Sequence, residues 1–143
     1  FFLHLHSMNN TRFATNIHIM TLLAKEPEKF LTSEWIAGSI NINPVIVRKE
    51  LIILKKFGLI ESRQGKDGGA RILKNAVEIS ITEIYEAVRN SEILGKKNLN
   101  PNPKCTVGKD INKNLNVLFS ETENVVQQFL MNKKLSDFMN QFD

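Results

Sequence analysis

The sequence predicts a mainly α-helical fold with one small β-hairpin, and three observations lead to that prediction. Apolar residues recur at three- and four-residue intervals in several segments, which indicates amphipathic helices. The glycine-rich stretch 64–69 lies between two short apolar segments, which is typical of a hairpin turn. The chain has 143 residues, of which 42% are hydrophobic and 24% charged, and this suits one domain with an appendage.

Three helices are predicted before the hairpin. The first covers residues 11–24 and ends before Pro27, since proline disfavours helical geometry in the preceding residue. The second begins near Thr32 or Ser33, whose hydroxyl groups can cap it, and is expected to bury Trp35 or Ile36.

The third helix, residues 44–57, has both of its ends marked in the sequence. Asn43 suits the N-cap and Pro44 the first helical position, where its missing N–H costs nothing. Gly58 suits the left-handed position that follows a helix. The expected buried stripe has the spacing of one helical face: Val47, Leu51 and Leu54.

Residues 59–62 and 70–73 are the predicted strands of the hairpin. Ser80 and Glu83 form a predicted capping box that opens a fourth helix. A flexible loop is expected over residues 91–105. A last short helix, capped by Ser136, is expected to contain Phe138, Met139 and Phe142.

A long helix is predicted from about Thr106, with apolar residues at near-heptad spacing. Because it is too long to be covered by the few preceding elements, a partner helix is its expected cover. The residues expected to make this contact in a dimer share the apolar stripe: Ile111, Leu115, Leu118, Val125 and Phe129. Residues 106–143 are therefore interpreted as a dimerisation helix followed by a C-terminal helix.

Composition and charge limit the classes of function that the chain can have. No apolar run approaches the ~18 residues that span a bilayer, so a cytoplasmic protein rather than a membrane protein is expected. Residues 8–74 hold 11 basic and 6 acidic side chains, whereas residues 75–143 hold 8 and 9. Concentration of positive charge in one half is typical of proteins that bind phosphate groups.

The N-terminal segment 1–7 is interpreted as a leader outside the fold. It precedes Met8, contains alternating histidines and lacks the basic region of a secretory signal. The remaining histidine, His18, lies alone in a helical pattern, so no metal site is expected. No nucleophile–base pair remains either, and Glu83 and Glu86 are spaced for a solvated helix face, so an enzyme is not expected.

Three helices followed by a glycine-tipped hairpin predict a winged helix-turn-helix in residues 8–90. The helix 44–57 would enter the DNA major groove, and the hairpin tip 63–71, called the wing below, would reach the backbone or the minor groove. The apolar outer side of that helix favours partial readout through thymine methyl groups. The predicted DNA contacts lie on these two elements: Asn43, Pro44, Val45, Ile46, Arg48, Lys49, Arg63, Gln64, Lys66, Gly68, Gly69 and Arg71. The alternative is a protein-interaction adaptor with the same fold.

Three stretches resemble the Rrf2 family of bacterial winged-helix transcription factors, which includes iron–sulfur-cluster, nitric-oxide and cysteine-metabolism regulators. They are residues 43–54, 56–62 and 65–69, and with residues 79–84 and the long helix the resemblance covers nearly all of residues 8–143. It implies a homodimeric regulator, taken here as a repressor, on a near-palindromic double-stranded DNA operator. A small-molecule or protein effector would control it.

The sequence differs from the family pattern at the wing and at the sensor. Gln64 stands where the family usually has arginine, and Ala70 where it often has tyrosine, so Arg63 or Lys66 could take over the wing contact. Many relatives hold an iron–sulfur cluster with three closely spaced cysteines, but this chain has only Cys105, and no cofactor is expected. Cys105 is interpreted either as a redox-responsive thiol or as an inert remnant of a cluster ligand.

Overall fold

The computed structural model describes residues 11–89 and 93–143. In that part of the chain six α-helices and two strands follow one another: α1 (Arg12–Lys25), α2 (Ser33–Ile40), α3 (Pro44–Lys56), β1 (Ile60–Arg63), β2 (Gly69–Ile72), α4 (Ile81–Val88), α5 (Thr106–Met131) and α6 (Leu135–Met139). A short 3-10 turn, Ala76–Glu78, joins β2 to α4. The mainly helical fold with one hairpin is thus confirmed.

Local signals set the ends of α2 and α3 as predicted. The Thr32 hydroxyl accepts a hydrogen bond from the Trp35 N–H at 3.1 Å, and the Asn43 side chain accepts one from the Val45 N–H at 2.9 Å. Gly58 adopts a φ of 74° after α3, which glycine tolerates because it lacks a Cβ. The turn between α2 and α3 is only three residues long, and the two helices are in direct contact.

The core lies beneath α1, α2 and α3. Ile19, Met20 and Leu23 of α1 are fully buried together with Val47 and Leu54 of α3. Of the two candidates in α2, Ile36 is buried and Trp35 is 53% exposed. The core also contains polar residues that the hydrophobic pattern did not predict, among them Asn16 of α1, which is fully buried, and Glu50 of α3, which is 4% exposed.

The hairpin is antiparallel and pairs Ile60 with Ile72 and Arg63 with Gly69. On its other side, β2 pairs with the α1–α2 connection, because Leu31 and Ala70 exchange two backbone hydrogen bonds of 2.8 Å each. A Cβ at Gly69 would overlap the Leu31 backbone, so glycine is required where the two segments meet.

The C-terminal helix packs in the core of the N-terminal unit, whereas the sequence pattern grouped it with the long helix. The Leu135 N–H donates to the Ile79 carbonyl at 2.9 Å, and the Leu135 side chain is fully buried. These contacts fix the start of α6 at Leu135, so the predicted cap at Ser136 is wrong: Lys134 holds the cap position. Phe142 lies beyond the helix end rather than within it.

The capping box at α4 is confirmed, and α4 carries the long helix α5 through polar contacts. The Glu83 carboxylate accepts a hydrogen bond of 2.9 Å from the Ser80 N–H. The Thr82 hydroxyl donates to the Gln127 carbonyl at 2.8 Å.

Among the helices of residues 11–89 and 93–143, none combines the length and apolar character that crossing a membrane requires.

Candidate nucleic-acid interface

One side of α3 is exposed to solvent. With 3.6 residues per turn, five exposed residues fall within about a third of the helix circumference and define what is called here the outer face of α3: Val45, Arg48, Lys49, Ile52 and Lys56. The opposite side holds the buried Val47, Glu50 and Leu54. The same periodicity that anchors α3 in the core therefore presents three cations outward.

A groove of about 750 Å³ separates α3 from the hairpin. It brings Arg48 together with the predicted wing residues Arg63, Gln64, Gly68 and Gly69. Several polar residues that line this groove were not among the predicted DNA contacts. They come from the start of α2, the end of α3 and β1: Thr32, Ser33, Lys55, Lys56 and Ser62. The hydroxyl groups at the N-terminus of α2 were the available signal, but they were interpreted only as caps.

Some predicted contact residues have structural roles. The Asn43 side chain is occupied by the cap of α3, and Pro44 and Ile46 are half-buried beside the outer face. Gly68 is buried, and a Cβ there would overlap the Arg63 carbonyl oxygen. These residues shape the turn and the helix end that carry the exposed cations.

Two of the three wing cations contact an aromatic ring whose role the sequence did not indicate. The Arg63 and Arg71 guanidinium carbons lie 4.1 and 4.4 Å from the centroid of the Phe30 ring. Arg63 also donates to the Asp67 carbonyl at 2.8 Å, and Arg71 to the Glu61 carboxylate at 2.9 Å. Phe30 thus orients two of the predicted wing contacts, while Lys66 is exposed at the hairpin tip.

The charge of the chain is concentrated on these two elements. Residues 48–71 contain seven basic and three acidic side chains, so their net charge equals the +4 of the whole chain. Two of the three acids, Glu50 and Glu61, are paired with arginines. The outer face of α3 and the wing therefore form a cationic surface suited to a polyanion.

The long helix α5 has a second exposed surface. All 26 of its residues remain at least partly exposed in the described chain. The five predicted dimer residues Ile111, Leu115, Leu118, Val125 and Phe129, called here the dimerisation stripe, share about a quarter of the helix circumference. Val125 and Phe129 are 68% and 61% exposed, and Gln127, which contacts α4, lies on the other side of the helix.

Cys105 occupies the N-cap position of α5 and is exposed. The backbone N–H groups of Gly108 and Val107 lower the pKa of the Cys105 thiol, although neither makes a cap hydrogen bond to the sulfur. No group of three or more His, Cys, Asp or Glu side chains that could hold a metal ion occurs in the part of the chain that the structure describes.

A cationic helix face beside a basic, glycine-tipped hairpin defines the class of winged-helix DNA-binding proteins. The helix has the width of the major groove, and the hairpin extends the same charged surface sideways. Comparison with known proteins identifies the family within this class.

The family model described as Rrf2, iron-dependent transcriptional regulator, matches residues 9–141. YwnA of Bacillus subtilis strain 168, which carries the name of an HTH-type transcriptional regulator, is 41% identical over 93% of this chain and 98% of its own length. A crystal structure described as that of a DNA-binding protein has a TM-score of 0.72 at 38% identity, covering 90% of this chain and 98% of the other. CymR (YrzC), the global cysteine regulator of B. subtilis, shares the fold with a TM-score of 0.68 at 20% identity over 93% of this chain and 96% of its own.

The chain belongs to the Rrf2 family and is a DNA-binding transcriptional regulator. Its relatives are regulators and not enzymes, and the same holds for this chain. The winged-helix interpretation of the sequence and the resemblance to this family are confirmed.

The iron in the family's description implies a metal group, but the donor set here does not fit an iron–sulfur cluster held by one chain. Such clusters are ligated by several thiolates, and Cys105 is the single cysteine of the sequence.

Proposed function

We propose that the chain acts as a homodimeric repressor in the bacterial cytoplasm and binds a near-palindromic operator in double-stranded DNA. The observation that carries this proposal is the outer face of α3, where Arg48 and Lys49 are exposed opposite the buried core side of the same helix. A bound dimer would exclude other proteins from the same grooves, which is the simplest route to repression.

The residues divide between positioning and readout. Arg48, Lys49 and Lys56 would neutralise phosphates or bind base edges in the major groove. Lys66 would reach the DNA from the exposed hairpin tip, and Arg63 and Arg71, oriented by Phe30, would contact the DNA backbone beside it. This assignment gives Lys66 the contact that arginine would make at the position of Gln64.

The dimerisation stripe supports dimerisation through α5, because Leu118, Val125 and Phe129 are more than half exposed. Burying apolar area contributes roughly 25 cal/mol per Å², so a second stripe is a favourable cover for the first. Two α3 helices related by a two-fold axis would reach half-sites about 34 Å apart, the length of one DNA turn. A small molecule or another protein would act as effector by changing this geometry, and no bound cofactor is required.

Selection from a pool of random duplexes tests the proposal. Purified protein should enrich duplexes with two inverted half-sites, and footprinting should show two protected regions one helical turn apart. A labelled selected duplex should shift at far lower protein concentration than a scrambled duplex of the same composition. An adaptor without operator binding would enrich no sequence and would bind both duplexes equally and weakly.

A further inference from the structure

The outer face of α3 carries two exposed apolar side chains among its cations. Val45 is 46% and Ile52 is 60% exposed, with Arg48 and Lys49 between them in sequence. Val45 and Ile52 are seven residues apart and therefore lie on one line along the helix, about 10 Å from each other at 1.5 Å per residue.

The fold does not use these two side chains. The core side of α3 is filled by Val47 and Leu54, both fully buried, so neither Val45 nor Ile52 contributes to the core. β-branched residues also form helices less readily than lysine or glutamate, which are common at exposed helix positions. The core therefore does not account for their place on this face, and both side chains are available to contact a partner.

In the major groove, the apolar group that a base pair presents at its edge is the 5-methyl group of thymine. Val45 lies in the first turn of α3, the end of a recognition helix that approaches base edges most closely. Ile52 lines the groove between α3 and the hairpin together with Arg48. Cations beside them would hold the phosphates and bring both apolar side chains to the bases.

We propose that Val45 and Ile52 read thymine 5-methyl groups in each half-site, so that the regulator prefers operators with thymine at the positions facing these residues. This inference rests on the proposed operator binding. The feature of the DNA that Val45 and Ile52 recognise is the thymine methyl group. Ile52 thereby contributes to the sequence specificity of binding.

Replacing every thymine of a selected operator by deoxyuridine removes the methyl groups and keeps all base pairing. Fluorescence anisotropy should show binding of the native chain roughly fourfold weaker for each contacted methyl, the factor expected from burying one such group. The double variant V45S–I52S should bind the thymine and uracil operators with similar affinity. The matched control L73S–V77S removes two apolar side chains that are 50% and 61% exposed outside α3, and it should discriminate like the native chain.

The outcomes separate this inference from the proposed function. If no duplex is enriched in the selection, operator binding itself fails. If a selected operator binds tightly but its uracil form binds equally well, operator binding stands and the methyl readout is overturned. The methyl readout is also overturned if V45S–I52S discriminates between the thymine and uracil operators as strongly as the native chain does. Thermal unfolding checks that this variant is folded.

Discussion

Arg12 and Glu50 form a bidentate ion pair that ties the start of α1 to the inner side of α3. The Arg12 Nε and Nη2 donate hydrogen bonds to the two carboxylate oxygens, each at 2.8 Å. The hydrogen bonds that the Arg12 guanidinium donates to Glu50 raise the pKa of Arg12 above its ordinary value. Because Glu50 lies opposite the outer face of α3, this pair anchors the helix that presents the cations.

Arg12→Ala is expected to lower the free energy of unfolding by about 3 kcal/mol, because it leaves a buried carboxylate without its partner. Urea unfolding measures the loss. Arg12→Met combined with Glu50→Leu should recover most of it, since an apolar pair replaces the charged one. The exposed pair Lys29–Glu26 provides the control, and an R12A variant as stable as K29A would contradict the role of the buried pair.

Gly69→Ala is expected to destabilise the chain by roughly 1 to 3 kcal/mol. Gly69 has a φ of 141°, and its new Cβ would overlap the Leu31 backbone, so the bridge between Leu31 and Ala70 would open. Gly38→Ala is the matched control, because a Cβ at Gly38 meets nothing within 4 Å in α2. It should stabilise by roughly 0.5 to 1 kcal/mol. Equal melting temperatures for the two variants would show that Gly69 is not required.

Phe30→Ala should weaken operator binding about threefold to tenfold. Each of the two cation–π contacts contributes on the order of 0.5 to 1 kcal/mol to the arrangement of Arg63 and Arg71. Phe30→Tyr keeps the aromatic face and should bind like the native chain. Anisotropy titrations with one selected operator compare the three proteins. The orientation of the wing by this ring is refuted if F30A binds as tightly as F30Y.

Leu118→Asp or Phe129→Asp should convert the dimer into a monomer, because each places a charge in the dimerisation stripe. Sedimentation velocity reports the change directly. Asn116→Asp adds the same charge at an exposed position on the other side of α5 and should leave the dimer intact. A native chain that sediments as a monomer would contradict the two-half-site arrangement.

The parts of the fold that depend on local sequence could be predicted. Asn43, Pro44 and Gly58 mark the ends of α3 through their own backbone preferences, and Ser80 and Glu83 mark α4 in the same way. The helical periodicity then separates the core side of α3 from its outer face. The cationic surface follows from these local rules together with the positions of the charges.

Contacts between distant segments could not be predicted. The pair Arg12–Glu50 spans 38 residues, and nothing near Glu50 in the sequence indicates that a carboxylate would be buried there. The contact of Phe30 with the wing depends on the Leu31–Ala70 bridge, which is a tertiary feature. The wrong prediction of Ser136 as the cap of α6 has the same reason. The start of α6 is set by backbone hydrogen bonds to residues 79 and 81 rather than by a capping side chain.

The salt dependence of operator binding tests the central claim most directly, namely that the outer face of α3 binds DNA. A plot of log affinity against log salt concentration has a slope of about −0.9 per phosphate contact. The variant R48A–K49A should bind more weakly and with a shallower slope, whereas K109A–K113A, which removes two exposed cations of α5, should match the native chain. Unchanged affinity and slope for R48A–K49A, with the operator still bound specifically, would contradict the account.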